Sequence, residues 1–406
     1  MYATGLCLGA TNISMVTVED DGVDITIVEA VTKPHEGELR RTVLELLAEK
    51  GKLRLCATGR KFRHLLKVPT ISEPEAVELA YRHLNQGEKL DAVVSAGGET
   101  FILYEIDEQG RIGDVHTGNK CASGTGEFFL QQVKRMGLSP AEAIGEAAGC
   151  NPYPVASRCS VFCKSDCTHA LNKGEDKGRV VAGLCQMMAG KVLELTQKAR
   201  AKNILLVGGT AQNSLMVDFL RSQIEISVPE QAPYFEALGA ALWGLIHKPD
   251  FITPLPETLF APYKSSFSFR PPLRGAEQLV EFKSMEEGEA RPGDRLLLGL
   301  DTGSTTTKAV LIREQDQALV ASIYLRTSGD PVQAARNCYA RLAQQVPADV
   351  KIIGLGVTGS GRYIAGLHAL TSGVINEIIA HAAAALYFDP EVDTILEIGG
   401  QDAKYT

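Results

Sequence analysis

The chain repeats itself, and that repetition limits its fold more than any other feature. Gly5-Leu-Cys-Leu-Gly-Ala-Thr-Asn-Ile-Ser14 aligns with Gly299-Leu-Asp-Thr-Gly-Ser-Thr-Thr-Thr-Lys308 at an offset of 294. Ala57-Thr-Gly59 answers Val357-Thr-Gly359 at 300, and Val93-Val-Ser-Ala-Gly-Gly98 answers Ile395-Leu-Glu-Ile-Gly-Gly400 at 302. Three matches in one order and at nearly one offset predict two copies of a single module. The first copy occupies residues 1–247. The second begins near Leu296, and Thr406 lies just past its third motif, with no counterpart of residues 103–247. That pattern is expected of the N-terminal part of a longer protein, or of a fold that another chain completes. Between the copies, residues 248–295 contain seven of the 18 prolines and predict a linker or a draped, irregular connection.

The pattern within each copy is α/β. Apolar, β-rich runs at residues 26–31, 90–94, 204–207, 296–300, 309–312, 351–357 and 394–398 alternate with amphipathic helical stretches at 38–50, 74–85, 127–136, 178–201 and 334–345. Ser72, three residues before Glu75, is a helix-start signal. A formal net charge of −8 gives no general attraction for phosphate backbones, so nucleic acid is excluded as a first reading. No run reaches the roughly 18–20 apolar residues that span a bilayer. Nor is there a basic then apolar leader at the N-terminus, so the expected compartment is the cytoplasm, with no membrane partner.

Two turns carry phosphate chemistry. In the first, Asp301-Thr-Gly-Ser-Thr-Thr-Thr-Lys308 closes a predicted β-hairpin. Gly303 lets the backbone approach a phosphate, Ser304, Thr305 and the turn amides supply donors, and Asp301 can hold hydrated Mg²⁺. The second, Glu397-Ile-Gly-Gly-Gln-Asp402, follows a short strand. Gly399 and Gly400 open its backbone, while Gln401 and Asp402 are placed to position water or metal. Nine cysteines are present, four of them (Cys150, Cys159, Cys163, Cys167) within 18 residues. In a reducing compartment such clustering points to metal or redox chemistry before disulfides.

These turns resemble the phosphate-1 and phosphate-2 loops of the superfamily of acetate and sugar kinases, heat-shock chaperones and actin. Leu206-Val-Gly-Gly-Thr-Ala-Gln-Asn213 resembles its adenosine loop, and Glu236-Ala-Leu-Gly-Ala-Ala-Leu242 the closing helix of its nucleotide cleft. The resemblance implies ribonuclease-H-like subdomains flanking an ATP cleft: one complete actin-like module at 1–247 and the first part of a second at 296–406. Asn119-Lys-Cys-Ala-Ser-Gly-Thr-Gly-Glu-Phe128 and Ser157-Arg-Cys-Ser-Val-Phe162 narrow the likeness. They closely resemble the ATPase activators of 2-hydroxyacyl-CoA dehydratases and the ATPase subunits of benzoyl-CoA reductases. In that family one cysteine from each motif of each subunit ligates a [4Fe–4S] cluster shared across a homodimer. Carried over, these are Cys121 and Cys159. The implied activity is ATP-driven delivery of a low-potential electron to an iron–sulfur dehydratase or reductase acting on acyl-CoA.

The copies differ where hydrolysis depends on them. Cys7 stands where copy two has Asp301, Ser14 where it has Lys308, and Ser95-Ala-Gly-Gly-Glu-Thr100 replaces the second turn. Copy one therefore reads as cluster-bearing but weak or inactive in hydrolysis, with Glu99 a partial substitute. Gly97, Gly98, Gly208, Gly209 and Asn213 are its candidate nucleotide contacts. The ATPase residues are expected to be Asp301, Gln401 and Asp402, with Gly303, Ser304, Thr305, Lys308, Gly399 and Gly400 holding ATP or ADP. Cys163 and Cys167 share a helical face with Cys159, but eight residues at ~1.5 Å place the outer two too far apart for one cubane. They read as packing residues or neighbours of the cluster, an additional metal site being the alternative. Two other functions remain open. A small-molecule kinase of the same fold would leave Cys121 and Cys159 without a role, and a non-catalytic regulatory module would use copy one as a degenerate nucleotide sensor.

Overall fold

A computed structural model describes residues 1–48, 50–85, 87–118, 124–157, 160–261, 273–281, 288–399 and 403–406. The first sheet is built from β1 (Tyr2–Leu8), β2 (Asn12–Asp20), β3 (Ile25–Pro34) and, after helix α1 (Leu39–Leu47), β4 (Leu55–Thr58). Its order is β3-β2-β1-β4, with antiparallel hairpins up to β1 and a parallel step to β4. Helix α2 (Glu73–Leu84) follows; the Ser72 hydroxyl accepts from the Glu75 amide and caps it.

The second sheet repeats that plan. It contains β5 (Ala92–Ala96), β6 (Phe101–Ile106), β7 (Ile112–Thr117), β8 (Asn203–Val207) and β9 (Glu225–Ser227), in the order β7-β6-β5-β8-β9. Inserted between β7 and β8 are helices α3 (Gly126–Arg135), α4 (Pro140–Ala147), α5 (Ser160–Asn172) and α6 (Lys177–Ala199). Helix α7 (Ser214–Arg221) leads into β9. Helix α8 (Phe235–His247) then packs across β1 and α2.

That packing explains the small residues of α8. A Cβ on Gly239 would stand 1.8 Å from the Ala76 carbonyl oxygen, and one on Gly5 of β1 would stand 2.1 Å from the Ala237 oxygen. The backbones touch, and only glycine fits. Gly239→Ala should therefore lower stability by about 3 kcal/mol, read by chemical denaturation, because no flexible side chain is available to yield. A loss under about 0.5 kcal/mol would mean α8 does not sit this close to α2.

Residues 251–261 drape over the first sheet. Leu53 and Ile252 exchange backbone hydrogen bonds of 2.8–2.9 Å, and after the short helix α9 (Pro256–Leu259), Leu259 and Phe260 join the core of Leu6, Ile13, Val43 and Leu47.

The third sheet is the first one again. β10 (Arg295–Thr302), β11 (Thr306–Arg313), β12 (Leu319–Arg326) and, after helix α10 (Pro331–Ala343), β13 (Lys351–Thr358) stand in the order β12-β11-β10-β13. Helix α11 (Arg362–His368), helix α12 (Glu377–Phe388) and the hairpin β14 (Leu396–Ile398)–β15 (Ala403–Tyr405) complete the described chain. The fold is thus mixed α/β, and the internal repeat is a repeat of sheet topology. Contacts divide the chain into two compact units: residues 1–131, 155–160 and 182–268, and residues 132–154, 161–181 and 269–406. Helix α4 and nearly all of α5 therefore belong to the unit of the second copy. No helix among the described residues is long and apolar enough to cross a membrane.

Candidate nucleotide-binding turns

In the second copy, strand register sets the first turn. Asp301 is paired with Lys308 across β10 and β11 and with Thr358 on β13. The Lys308 ammonium stands 2.9 Å from Asp301 Oδ2 and lies over the Tyr324 ring. Gly303 N donates to the Thr306 carbonyl at 3.0 Å and closes the turn. Thr327 holds it from beneath: its hydroxyl donates to the Gly303 carbonyl at 2.7 Å, and its amide to the Thr305 carbonyl at 3.0 Å. Gly359, at φ +92°, lies so close that a Cβ would be 2.5 Å from Asp301 Oδ1. Next to the carboxylate, the hydroxyls of Thr302 and Thr358 are buried without a hydrogen-bond partner among the described residues. A carboxylate, an ammonium and open turn amides around a glycine cradle fit a Mg²⁺-bound phosphate. Ser304 is half-buried and Thr305 exposed at the tip.

The second turn of this copy is described only in part. Gly399 follows β14; Gly400, Gln401 and Asp402 lie outside the described residues. Lys404 of β15 sits between two carboxylates, 3.3 Å from Glu377 Oε1 and 3.4 Å from Glu397 Oε1.

In the first copy, three glycine turns converge. A Cβ on Gly98 would meet the Thr11 side chain at 3.0 Å, one on Gly209 would come within 3.7 Å of Asn12 Nδ2, and the Thr210 hydroxyl donates to the Gly97 carbonyl at 3.2 Å. Asn213 is spent on structure: its Oδ1 accepts from the Met216 amide to cap α7, and its Nδ2 donates to Cys185 Sγ. Cys7 and Ser14 face each other on the rung that Asp301 and Lys308 occupy in copy two. Ser14 shares a hydrogen bond with Thr32 and donates to the Pro233 carbonyl at 3.1 Å.

A buried charge network adjoins these turns. Glu73, only 6% exposed, accepts from Arg60 Nε at 2.7 Å and from the Tyr104 hydroxyl at 3.0 Å. Glu236, 8% exposed, accepts from the Ser95 hydroxyl at 2.6 Å. Burial, and then Glu73, push the Glu236 carboxyl above its ordinary range, and the Ser95 bond offsets part of that. Burial opposes the charge of Arg60, but Glu73 outweighs it and holds the guanidinium above its usual value. The Cys7 thiol is pushed well up by burial, then by Glu236 and Glu73, so it is no thiolate and no substitute for a metal-binding aspartate. Arg60 also donates to the Thr100 hydroxyl, spanning from α2 to the second turn, and Lys61 pairs with Glu99 at 2.7 Å.

Spacing arguments passed over Arg60, Glu73 and Thr327. Glu73 alone had a usable signal: Ser72-Glu73 answers Asn376-Glu377 as a fourth element of the repeat, each pair opening a helix with the first residue as its cap.

Cys121 and Cys159 lie outside the described residues. Helix α3 opens five residues after Cys121 and α5 one residue after Cys159. The start of α3 is joined to the second turn of copy one: Gly126 N donates to the Gly97 carbonyl at 3.3 Å, and Glu127 N to the Gly98 carbonyl at 2.9 Å. Cys163 and Cys167 are buried on α5, and a hydrogen bond between the two, with burial, holds the Cys167 thiol far above its ordinary value.

A model of the BadF/BadG/BcrA/BcrD ATPase family matches residues 5–244 and 298–406. An uncharacterized protein of Methanocaldococcus jannaschii is 24% identical over 241 residues, 59% of this chain and 98% of that protein. The (R)-2-hydroxyglutaryl-CoA dehydratase activating ATPase of Acidaminococcus fermentans is 30% identical over 157 residues. That match covers 37% of this chain and spans 60% of the activating ATPase's own length. The solved activator of the 2-hydroxyisocaproyl-CoA dehydratase from Clostridium difficile, with bound ADPNP, superposes with a TM-score of 0.54 at 25% identity. It covers 61% of this chain and 95% of the activator. The fold is that of the actin-like ATPases.

Proposed function

The chain belongs to the BadF/BadG/BcrA/BcrD ATPase family, and on that premise we propose that it is an ATP-dependent activator that passes a low-potential electron to an acyl-CoA dehydratase or a benzoyl-CoA-reductase-like partner, itself an iron–sulfur protein. In this reading the hydrolytic turns are those of copy two. Asp301 would hold Mg²⁺, and the amides and hydroxyls of Gly303, Ser304 and Thr305, with Lys308, would hold the phosphates. Gly399 and Gly400 would hold the terminal phosphate, while Gln401 or Asp402 would orient the attacking water. In copy one, Gly97, Gly98, Gly208 and Gly209 line a cleft for nucleotide, and Asn213 shapes the adenosine loop.

The donor set for a metal cofactor is two thiols per chain, Cys121 five residues ahead of α3 and Cys159 one residue ahead of α5, where the helix dipole favours a thiolate. When bound, a [4Fe–4S] cluster held by Cys121 and Cys159 of both chains of a homodimer would supply the low-potential electron. The observation that carries the reading is the pair of hydrogen bonds from the start of α3 to the carbonyls of Gly97 and Gly98. Nucleotide arriving at this turn of copy one would bear directly on α3, which opens five residues after Cys121.

Iron and acid-labile sulfide after anaerobic reconstitution test it. About four irons per dimer are expected in the wild type, and fewer than about one in Cys121→Ser or Cys159→Ser. Iron bound equally well without either cysteine would remove the electron-transfer role. A second reading, copy one as a non-hydrolytic nucleotide sensor, is favoured by Cys7, Ser14 and the Arg60 network. It is compatible with hydrolysis in copy two. A small-molecule kinase would leave both cysteine motifs without work.

A further inference from the structure

Resting on the reading of copy two as the hydrolytic site, we propose that Asn172 is a positioning residue that ties helix α5, and through it Cys159, to the nucleotide-binding turn of copy two. Asn172 is the last residue of α5 and 7% exposed, and its Nδ2 donates to the Ser360 hydroxyl at 2.9 Å. Ser360 lies in the loop against the Asp301 turn. On one side of it Gly359 abuts Asp301 Oδ1; on the other, Gly361 N donates to the Thr302 carbonyl at 2.8 Å. A phosphate bound at the Asp301 turn would therefore lie against this loop.

A second line of contacts runs in parallel. Thr327, which holds Gly303 and Thr305, is followed by Ser328 and Gly329, both at positive φ. A Cβ on Gly329 would stand 3.2 Å from Leu171 Cδ1 and from Met136 Cα. Gly137, φ +75°, is pressed against Ser328 Cβ in the same way at 3.2 Å, and Gly174, φ +87°, against Ile364 Cδ1 at 3.1 Å. Two turns, at the C-terminal ends of α3 and α5, thus pack against the Ser328–Gly329 loop and helix α11, which flank the phosphate turn. All of these residues belong to one compact unit. Close-packed turns have discrete arrangements and do not deform smoothly, so a shift of the Ser360 loop is carried into α5. The helix extends from Asn172 back to Ser160, next to Cys159, with Cys163 and Cys167 buried along it. In this proposal Asn172 acts through the helix.

Amide hydrogen exchange of residues 160–176 in the full chain, with ADP and then with a non-hydrolysable ATP analogue plus Mg²⁺, tests the inference. In the wild type the exchange of analogue for ADP should alter protection of the last two turns of α5 by about tenfold. Asn172→Ala should cut that response to under about twofold, while affinity for the analogue stays within about threefold. Ser360→Thr, which keeps the acceptor, should respond as the wild type does. Ser360→Ala removes the same bond from its exposed end, so the test survives if the buried Asn172→Ala variant folds poorly. If the wild type binds both nucleotides and α5 does not respond, or if both alanine variants respond fully, the inference is overturned and the nucleotide reading stands. If no nucleotide binds, that reading falls and the inference with it.

Discussion

Asp301→Asn should reduce Mg²⁺-dependent phosphate release from ATP by at least about a hundredfold. The substitution keeps the size and hydrogen-bonding outline of the side chain and removes its charge. Losing an anchor for the metal at a phosphate that carries developing charge costs about 3–4 kcal/mol in the transition state, a factor of roughly 10²–10³. Copy one cannot take over, because the equivalent rung holds Cys7, whose thiol stays protonated, and Ser14, whose hydroxyl is committed to Thr32 and Pro233. The loss should read as chemistry and not as unfolding. The Asp301–Lys308 pair is partly exposed at both ends, so breaking it costs under about 1 kcal/mol of stability. Phosphate release measured beside a thermal melt separates the two. Retention of more than about a third of the activity would move hydrolysis to copy one, and Cys7→Ser would then become the informative variant.

How much of this could be read from the sequence varied with the range of the interaction. The hairpins at Gly5–Ser14 and Gly299–Lys308 were legible because a repeat of local chemistry is a repeat of local structure: glycine at the turn, β-branched and apolar residues on either side. Register then put Cys7 with Ser14 and Asp301 with Lys308 on matching rungs. Helices with one apolar stripe, such as α1 and α10, were visible at nearly their true extent. Others were not. α12 is uniformly apolar and Ala-rich, and α5 scatters cysteines, threonine and serine with no stripe, so neither shows the period that marks a helix. α8 is buried all round and could be placed only by its resemblance to a family helix. Helix α4 did carry a readable signal, a full capping box between Ser139 and Glu142. What no spacing rule reaches is the network of Arg60, Glu73, Ser95, Tyr104 and Glu236, whose members meet because α8 is laid over β1 and α2. For the same reason, sequence order could not reveal that α4 and α5 fold with the second copy.

That network supplies a large effect on stability that depends on pH. Arg60→Ala should destabilise the protein by about 2–3 kcal/mol at pH 7, less than for a fully enclosed ion pair because the guanidinium keeps one side in water. It strips Glu73 of its only cationic partner among the described residues and leaves a second buried carboxyl, Glu236, beside it. The pH dependence has a definite sign. Glu236 already titrates above its ordinary value, so its contribution to stability is complete at low pH and is lost as pH rises through the raised value. Arg60 is one of the groups holding that value down, and without it Glu236 titrates higher still. The deficit of Arg60→Ala should therefore shrink as the pH is lowered from 7 toward 5, the direction in which the carboxyl takes up a proton. Glu236→Gln separates the charge from the packing: the amide still accepts from Ser95 but carries no charge, so this variant should match or exceed the wild type at pH 7 and lose that advantage in acid. Denaturant titrations of both variants at the two pH values decide the matter. An Arg60→Ala deficit that does not change with pH would mean the guanidinium acts through packing alone. In that case the packing of α8 on α2 is held by shape and not by balanced charge.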